Sequence, residues 1–409
     1  MKKFWTVSII LILVSVIAFS GSLFYYIDVT KDDTATVDQI KKDNGNKDDK
    51  EKETQPLEVN IPAELNDGGI FSASYEKAYA YMQSMSEEQM VGQLIIGSCP
   101  TDDTADSLIT KYSLSGYYLT ADNFALMSSQ DIRDMIDEYQ EKAKTPMIMS
   151  VKEEGGAVTA ISDLDAFPEY DFYSPRNTFA QGGIDEIKKN ETDKATMLKS
   201  VGINLNLAPV LDMAEEMNQI MYSRSLGGTV DETSLYATEV TTISQKKGVS
   251  VALKHFPGYG TNLDSYEPIV VDTREKSVFE STDFKPFEAG INAGAHFVLV
   301  SNVLAQNLDS KCVASLSEDV HKILKDELKF SGLVMTDNLN NADYSEYANG
   351  KNIYVQAVLA GNDLVMVDNI EDAYTAILDA VNEGTISKTT LQKACMRVLA
   401  YKYTAGIMN

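Results

Sequence analysis

Short apolar or β-branched runs recur along this chain, and amphipathic stretches fill the gaps between them. Gln93–Ile96, Gly116–Leu119, Met147–Val151 and Ile203–Leu207 read as four strands, and Val249–Lys254, Phe297–Ser301, Leu333–Thr336 and Asp363–Val367 as four more. Ser128–Lys144, Ser234–Lys247, Ser317–Lys329 and Ile353–Ala360 carry apolar positions at helical spacing, and Thr389–Tyr403 predicts a closing helix. Strands that alternate with helices form a parallel sheet. Eight such units predict an α/β fold closed into a (β/α)8 TIM barrel in preference to an open sheet. No glycine-rich phosphate motif supports a nucleotide fold.

The pattern differs at the start. Lys2 and Lys3 precede an almost unbroken apolar run from Phe4 to Ile27, long enough to cross a bilayer as a helix. The two lysines favour a cytoplasmic N-terminus, which puts the body outside. A cleaved signal peptide competes, because Ala18-Phe19-Ser20 offers a small-residue cleavage site. The retained anchor is preferred because the apolar run continues through Leu23, Phe24 and Tyr26. The segment after Asp28 is rich in Asp, Lys, Glu, Thr and Asn and poor in large apolar residues, so it reads as a disordered tether. The expected organisation is an anchor or signal segment over 1–27, a charged linker over 28–60 and one barrel domain over 61–409. The barrel would be extracytoplasmic, held to the membrane by the N-terminal helix or secreted after signal cleavage.

Charge and cysteine content narrow the picture. The chain holds 35 Lys and Arg against 61 Asp and Glu, a formal net charge of −26. Such a surface repels phosphate backbones and anionic lipid, which sets nucleic-acid binding aside and leaves neutral sugars open. Cys99, Cys312 and Cys395 are scattered and form no C-x-x-C pair, so they read as buried core residues. No spacing suggests a metal site, a cofactor or a Ser-His-Asp arrangement. Oligomeric state is open.

In parallel barrels chemistry sits at the C-terminal ends of the strands. That rule selects Glu153 and Glu154 after strand three, Asp212 after strand four, Lys254 and His255 at the end of strand five, and Asp337 at the end of strand seven. Four motifs surround them in order. They are Glu154-Gly155-Gly156, then Asn206-Leu207-Ala208-Pro209-Val210-Leu211-Asp212 with Arg224-Ser225-Leu226-Gly227. Lys254-His255-Phe256-Pro257-Gly258-Tyr259-Gly260 with Asp264-Ser265-Tyr266 follows, and Leu333-Val334-Met335-Thr336-Asp337-Asn338-Leu339 comes last. Together they resemble the single-domain bacterial β-N-acetylglucosaminidases (β-N-acetylhexosaminidases) of glycoside hydrolase family 3, across roughly Glu87 to Tyr403.

That resemblance implies a retaining hydrolase in which a carboxylate attacks the anomeric carbon and a covalent glycosyl-enzyme is then hydrolysed. Asp337 matches the nucleophile; read by itself, it is also a plausible helix N-cap before Leu339. Glu154, Arg224, Lys254 and His255 match sugar-binding positions, where cations donate charge-assisted hydrogen bonds to hydroxyls. Lys254 and His255 also fit a buried ion pair. Departures from the family gather at the same place. Tyr266 replaces the His that serves as acid and base, while its partner Asp264 is kept. Tyr259 replaces the His of G-H-G, Lys152 the Asp of D-x-E-G-G, Ala157 an Arg, and Asn302 a His on strand six. A phenol titrating at about 10 is a poor proton donor at neutral pH beside an imidazole at about 6.5, and lost acid–base help costs roughly 10² to 10⁴ in rate. Lys152 reverses the hydrogen-bonding sense of its subsite, since an ammonium only donates. His296 and His321 fall in no catalytic pattern. Two expectations follow: a hydrolase of N-acetylhexosamine ends on wall polymers or related glycans, or a surface glycan-binding barrel that has lost its acid–base group.

Overall fold

The computed structural model describes residues 60–260, 262, 269–340 and 342–409. The leading apolar run and nearly all of the charged linker lie outside the described residues. Among the described residues no helix is long and apolar enough to cross a membrane.

Eight parallel strands form the centre: β1 (Ile95–Ser98), β2 (Gly116–Leu119), β3 (Ile148–Val151), β4 (Leu205–Asn206), β5 (Ser250–Phe256), β6 (Phe297–Val300), β7 (Leu333–Thr336) and β8 (Val365–Val367). Each pairs with its sequence neighbour, and β1 pairs with β8. A Met335–Leu364 bridge joins β7 to β8 and completes the ring. There the Asp363 N–H donates to the Val334 carbonyl at 2.8 Å, and the Met366 N–H to the Thr336 hydroxyl at 3.0 Å. Nearly every strand residue is buried, which is why the strands read as continuous apolar runs without alternation. Gly116 lets β2 and β3 approach, because a Cβ there would lie 2.1 Å from the Ile148 carbonyl oxygen.

The predicted strands all form, with ends shifted by a few residues. The predicted helices appear as Ser129–Lys142, Val230–Lys246, Ile353–Ala360 and Lys388–Thr404. The second starts four residues before its predicted position, because the Thr229 hydroxyl accepts from the Glu232 N–H and Glu232 returns the bond. Ser317–Lys329 resolves into a short α-helix followed by a π-helical turn over Ile323–Glu327. A long helical segment, Pro175–Ser200, has no counterpart among the predicted helices. It is broken at Gly182 and Gly183, and this glycine pair in a polar stretch hides its periodicity.

The closing helix seals the N-terminal end of the barrel. Tyr401 packs edge-on against Phe71, His296 and Phe297, and its hydroxyl donates to Ser250 at 3.0 Å. Lys402, fully buried, donates to Gln93 Oε1 at 2.7 Å. His321 is a core residue and His296 is half-buried against Phe71 and Tyr401, and burial pulls each down to about 4. The three cysteines are free and buried. With that end closed, the C-terminal mouth carries the polar side chains.

Candidate active site

Three successive residues after β3 point in alternate directions. Asn206 on β4 grips the backbone of Glu153, accepting its N–H at 3.0 Å and donating to its carbonyl at 2.9 Å. The Glu153 carboxylate turns into the protein and accepts the N–H groups of Ala160 and Ile161 at 2.9 and 2.8 Å and the Ser162 hydroxyl at 2.6 Å. Glu153 therefore braces the following loop. Lys152 and Glu154 are left at the mouth.

Glu154 is 3% exposed. Arg224 donates to it through Nε at 2.8 Å and Nη2 at 2.6 Å, and the Lys254 ammonium donates to the same carboxylate. Burial opposes its ionisation, but Lys254 and Arg224 outweigh burial and hold the carboxyl far below its usual range. Burial pulls Lys254 down, with Glu154 opposing. Both carboxylate oxygens of Glu154 are engaged, so a ligand meets its charge through the two cations.

His255 follows Lys254 across a cis peptide bond. Its Nδ1 lies 2.7 Å from Asp212 Oδ2, and Asp212 Oδ1 accepts the Tyr259 N–H at 2.8 Å. The carboxylate places the ring proton on Nδ1, which leaves Nε2 as the acceptor facing Arg224 Nη2 at 3.4 Å. Burial lowers the His255 pKa against the pull of Asp212, so the ring is neutral at neutral pH. The Tyr259 ring meets His255 edge-on at 5.5 Å. Burial, with Asp337 and Asp212 nearby, pushes the phenol well above its ordinary range, so it remains a donor.

Asp337 extends β7 by one residue, its N–H donating to the Val300 carbonyl at 2.8 Å. Its side chain is 21% exposed, and Lys152 Nζ stands 3.8 Å from Oδ1. Burial raises its pKa, but Lys152, His255, the Asn338 N–H and Lys254 together bring it below the usual value. The carboxylate is thus ionised and partly open, and among the described residues Oδ1 accepts the adjacent Asn338 N–H at 2.9 Å and caps no helix. The Lys152 ammonium also lies over the Tyr118 ring, 5.3 Å from its centroid.

The structure brings Lys152, Glu154, Arg224, Lys254, His255, Tyr259 and Asp337 to one mouth. Asp264 and Tyr266 lie outside the described residues. Ala157 is exposed on the loop after β3. Asn302 spans from the Ser315 hydroxyl, which it accepts, to the Asn338 carbonyl, to which it donates at 3.0 Å, and so steadies the residue beside Asp337.

Sequence reasoning missed two supports. Arg176 donates to the carbonyls of Tyr222 and Ala214 at 2.9 and 2.6 Å and to the Ser225 hydroxyl at 2.9 Å. It also stacks on the Tyr222 ring. It pins the loop that delivers Arg224, and Gly227 leaves it room, since a Cβ there would meet its guanidinium. No local motif marks Arg176. Asp368 accepts from Ser98 and from Asn338 Nδ2 at 2.5 and 2.6 Å. It directly follows β8, and the strand-end rule would have found it.

Residues 86–401 match the model of the glycosyl hydrolase family 3 N-terminal domain. The chain belongs to glycosyl hydrolase family 3. By family it is a glycosyl hydrolase, and relatives it resembles carry the β-hexosaminidase name. It is 28% identical over 280 residues to a β-hexosaminidase of Stenotrophomonas maltophilia, covering 67% of this chain and 82% of that one. A β-hexosaminidase of Idiomarina loihiensis is 26% identical over 305 residues, 71% of this chain and 88% of its own. The structure of a family 3 β-N-acetylglucosaminidase from Paenibacillus superposes with a TM-score of 0.71 at 27% identity. The match covers 79% of this chain but 63% of that one, so this chain spans less than two thirds of that structure.

Proposed function

We propose that this family 3 barrel is a retaining β-N-acetylhexosaminidase with Asp337 as its nucleophile. One observation carries the reading: Asp337 is an ionised, partly open carboxylate at a strand end, beside a cationic cluster anchored on Glu154. In the first step Asp337 Oδ would bond to the anomeric carbon as the glycosidic C–O bond breaks, and the departing oxygen takes up a proton. Water then cleaves the ester and releases the sugar with its configuration retained. Arg224, Lys254 and neutral His255 would hold sugar hydroxyls, Arg224 and Lys254 by charge-assisted donation. The names of the relatives motivate the N-acetylhexosamine.

The acid–base loop is atypical in this proposal. Asp264 and Tyr266 occupy the place of the family's Asp and His, and a phenol protonates a poor leaving group weakly. The same chain would be anchored by Phe4–Ile27, with residues 28–60 as a tether that sets the barrel in the wall layer. A second reading, a surface glycan-binding barrel, is favoured by the Lys152 ammonium beside Asp337, since an ion pair there dampens the nucleophile.

Aryl β-N-acetylglucosaminides with good and poor leaving groups separate the two. We expect turnover of the activated substrate, little of the poor one, and loss of both with Asp337→Ala. Tyr266→His should raise turnover of the poor leaving group by about tenfold or more. Sugar binding without turnover in either form would leave the binding reading standing.

A further inference from the structure

A formal net charge of −26 repels phosphate over most of this surface, but one cleft departs from that balance. It holds about 480 Å³ on the flank of the barrel near the closed end, between the closing helix Lys388–Thr404 and the turn Ile323–Glu327. It lies at the seam of the ring, since Ser331 lines it just ahead of β7 and Asp363 just ahead of β8. A cavity of that size is in the range of small-molecule sites.

The charges that line it do not cancel. Arg397 is already engaged, because it pairs with Asp67 and Asp363 and donates to the Gly332 carbonyl. Among the described residues the three lining lysines, Lys325, Lys329 and Lys393, form no ion pair, and Asp326 is the one lining carboxylate not tied to Arg397. Lys325 is half-buried and uses one of its three donors on the Gly361 carbonyl at 2.6 Å. Burial lowers its pKa, with Asp363 opposing. An oxyanion would oppose burial further and take the remaining donors. A phosphate monoester offers three acceptor oxygens to three ammonium groups, where a carboxylate offers two. Buried Phe330, Val358 and Ala394 add an apolar wall for the carbon body of an ester.

The backbone supports the same reading. Lys325 sits in the π-helical turn Ile323–Glu327, an irregularity that recurs at functional sites. Lys329, four residues on, has a φ of +58° at a helix end, where glycine or asparagine is favoured. A lysine is kept there at a conformational cost, on the lining of the cleft.

We propose that this cleft binds the phosphate group of a phosphate ester, with Lys325 as the inner donor and Lys329 and Lys393 at the rim. The site is separate from the mouth and independent of the glycosidase reading.

Calorimetry on the full chain tests it, with glycerol 3-phosphate as probe and glycerol as its uncharged control. Vesicles of phosphatidylglycerol and of phosphatidylcholine form the second arm. We expect glycerol 3-phosphate to bind, glycerol not to bind, and the affinity to fall as salt is added. Lys325→Met should weaken binding by about tenfold or more. Lys329→Asn combined with Lys393→Gln should weaken it several-fold and still fold, because both side chains are exposed and asparagine tolerates the left-handed backbone. Lys111→Gln, on the outer helix Thr104–Tyr112, should leave binding unchanged. Binding in solution assigns the site to a free ester. Binding confined to phosphatidylglycerol vesicles, and lost in the rim variant, assigns the same phosphate chemistry to a lipid headgroup. No binding in either arm overturns the proposal, as does binding that survives both the Lys325 and the rim substitutions. Binding that the rim variant keeps but Lys152→Gln loses would place the anion at the mouth and overturn it too.

Discussion

Two fully buried lysines sit at opposite ends of this barrel, and their partners give them different electrostatic lives. Lys402, at the closed end, donates to the neutral amide of Gln93, and burial pulls its pKa down to about 7. Lys254, at the mouth, meets the carboxylate of Glu154, which Arg224 shares. Burial lowers Lys254 too, but the carboxylate opposes it. The closed end can therefore let its charge go, whereas the mouth keeps cations and carboxylate ionised together. Buried charge persists where it is paired, and pairing at the mouth leaves donors poised towards a ligand.

The comparison breaks most visibly at Glu154. Glu154→Gln leaves Arg224 and Lys254 without their counter-ion in a dry setting, and we expect a loss of about 3 to 5 kcal/mol in denaturant unfolding. A loss below about 1 kcal/mol would mean that the mouth is as well solvated as a surface. In the native protein the contribution of Glu154 should be present above its unfolded pKa of about 4.3 and fade as pH falls below that value.

Arg176 sharpens the comparison within the mouth. Arg176→Lys loses the rigid fork that reaches two carbonyls and a hydroxyl, at a cost of about 1 to 2 kcal/mol in stability. If Arg176 positions Arg224 for the sugar, KM should rise several-fold with kcat nearly constant. An unchanged KM would reduce it to a packing residue.

Lys402→Met should have the smallest effect at pH 7, within about 1 kcal/mol, because methionine fills similar space. Its signature is in the pH profile. The folded pKa of about 7 lies below the unfolded value of about 10.4, so the unfolded chain binds more protons between them. Stability of the natural protein should rise with pH through that window, and the rise should flatten in Lys402→Met. A slope that survives the substitution would place the titration elsewhere.

Much of the fold was legible because parallel strands buried on both faces leave apolar runs of a recognisable length. All eight strands lie where those runs predict, and Leu333–Thr336 and Gly116–Leu119 match end to end. Pro175–Ser200 was not legible, since its glycine pair interrupts the period and its apolar face is sparse. In the site, the strand-end rule found Glu154, Lys254, His255 and Asp337. It also offered Glu153, whose carboxylate the structure turns inward to a loop, because neighbouring residues on a strand face opposite ways.

By itself, then, the sequence determined the order of strands and helices, the membership of the family and the carboxylates and cations that gather at the strand ends. These depend on local period and on residue type, which the chain carries directly. The tertiary structure alone decided which charges meet. Glu154 and Lys254 are a hundred residues apart, and Arg176 reaches carbonyls 38 and 46 residues away. Such contacts depend on how closed the ring is and where each loop returns, and no local pattern encodes a distance. The pairing of Lys152 with Asp337 belongs to the same class. It arises because strands three and seven end at one level around a common mouth.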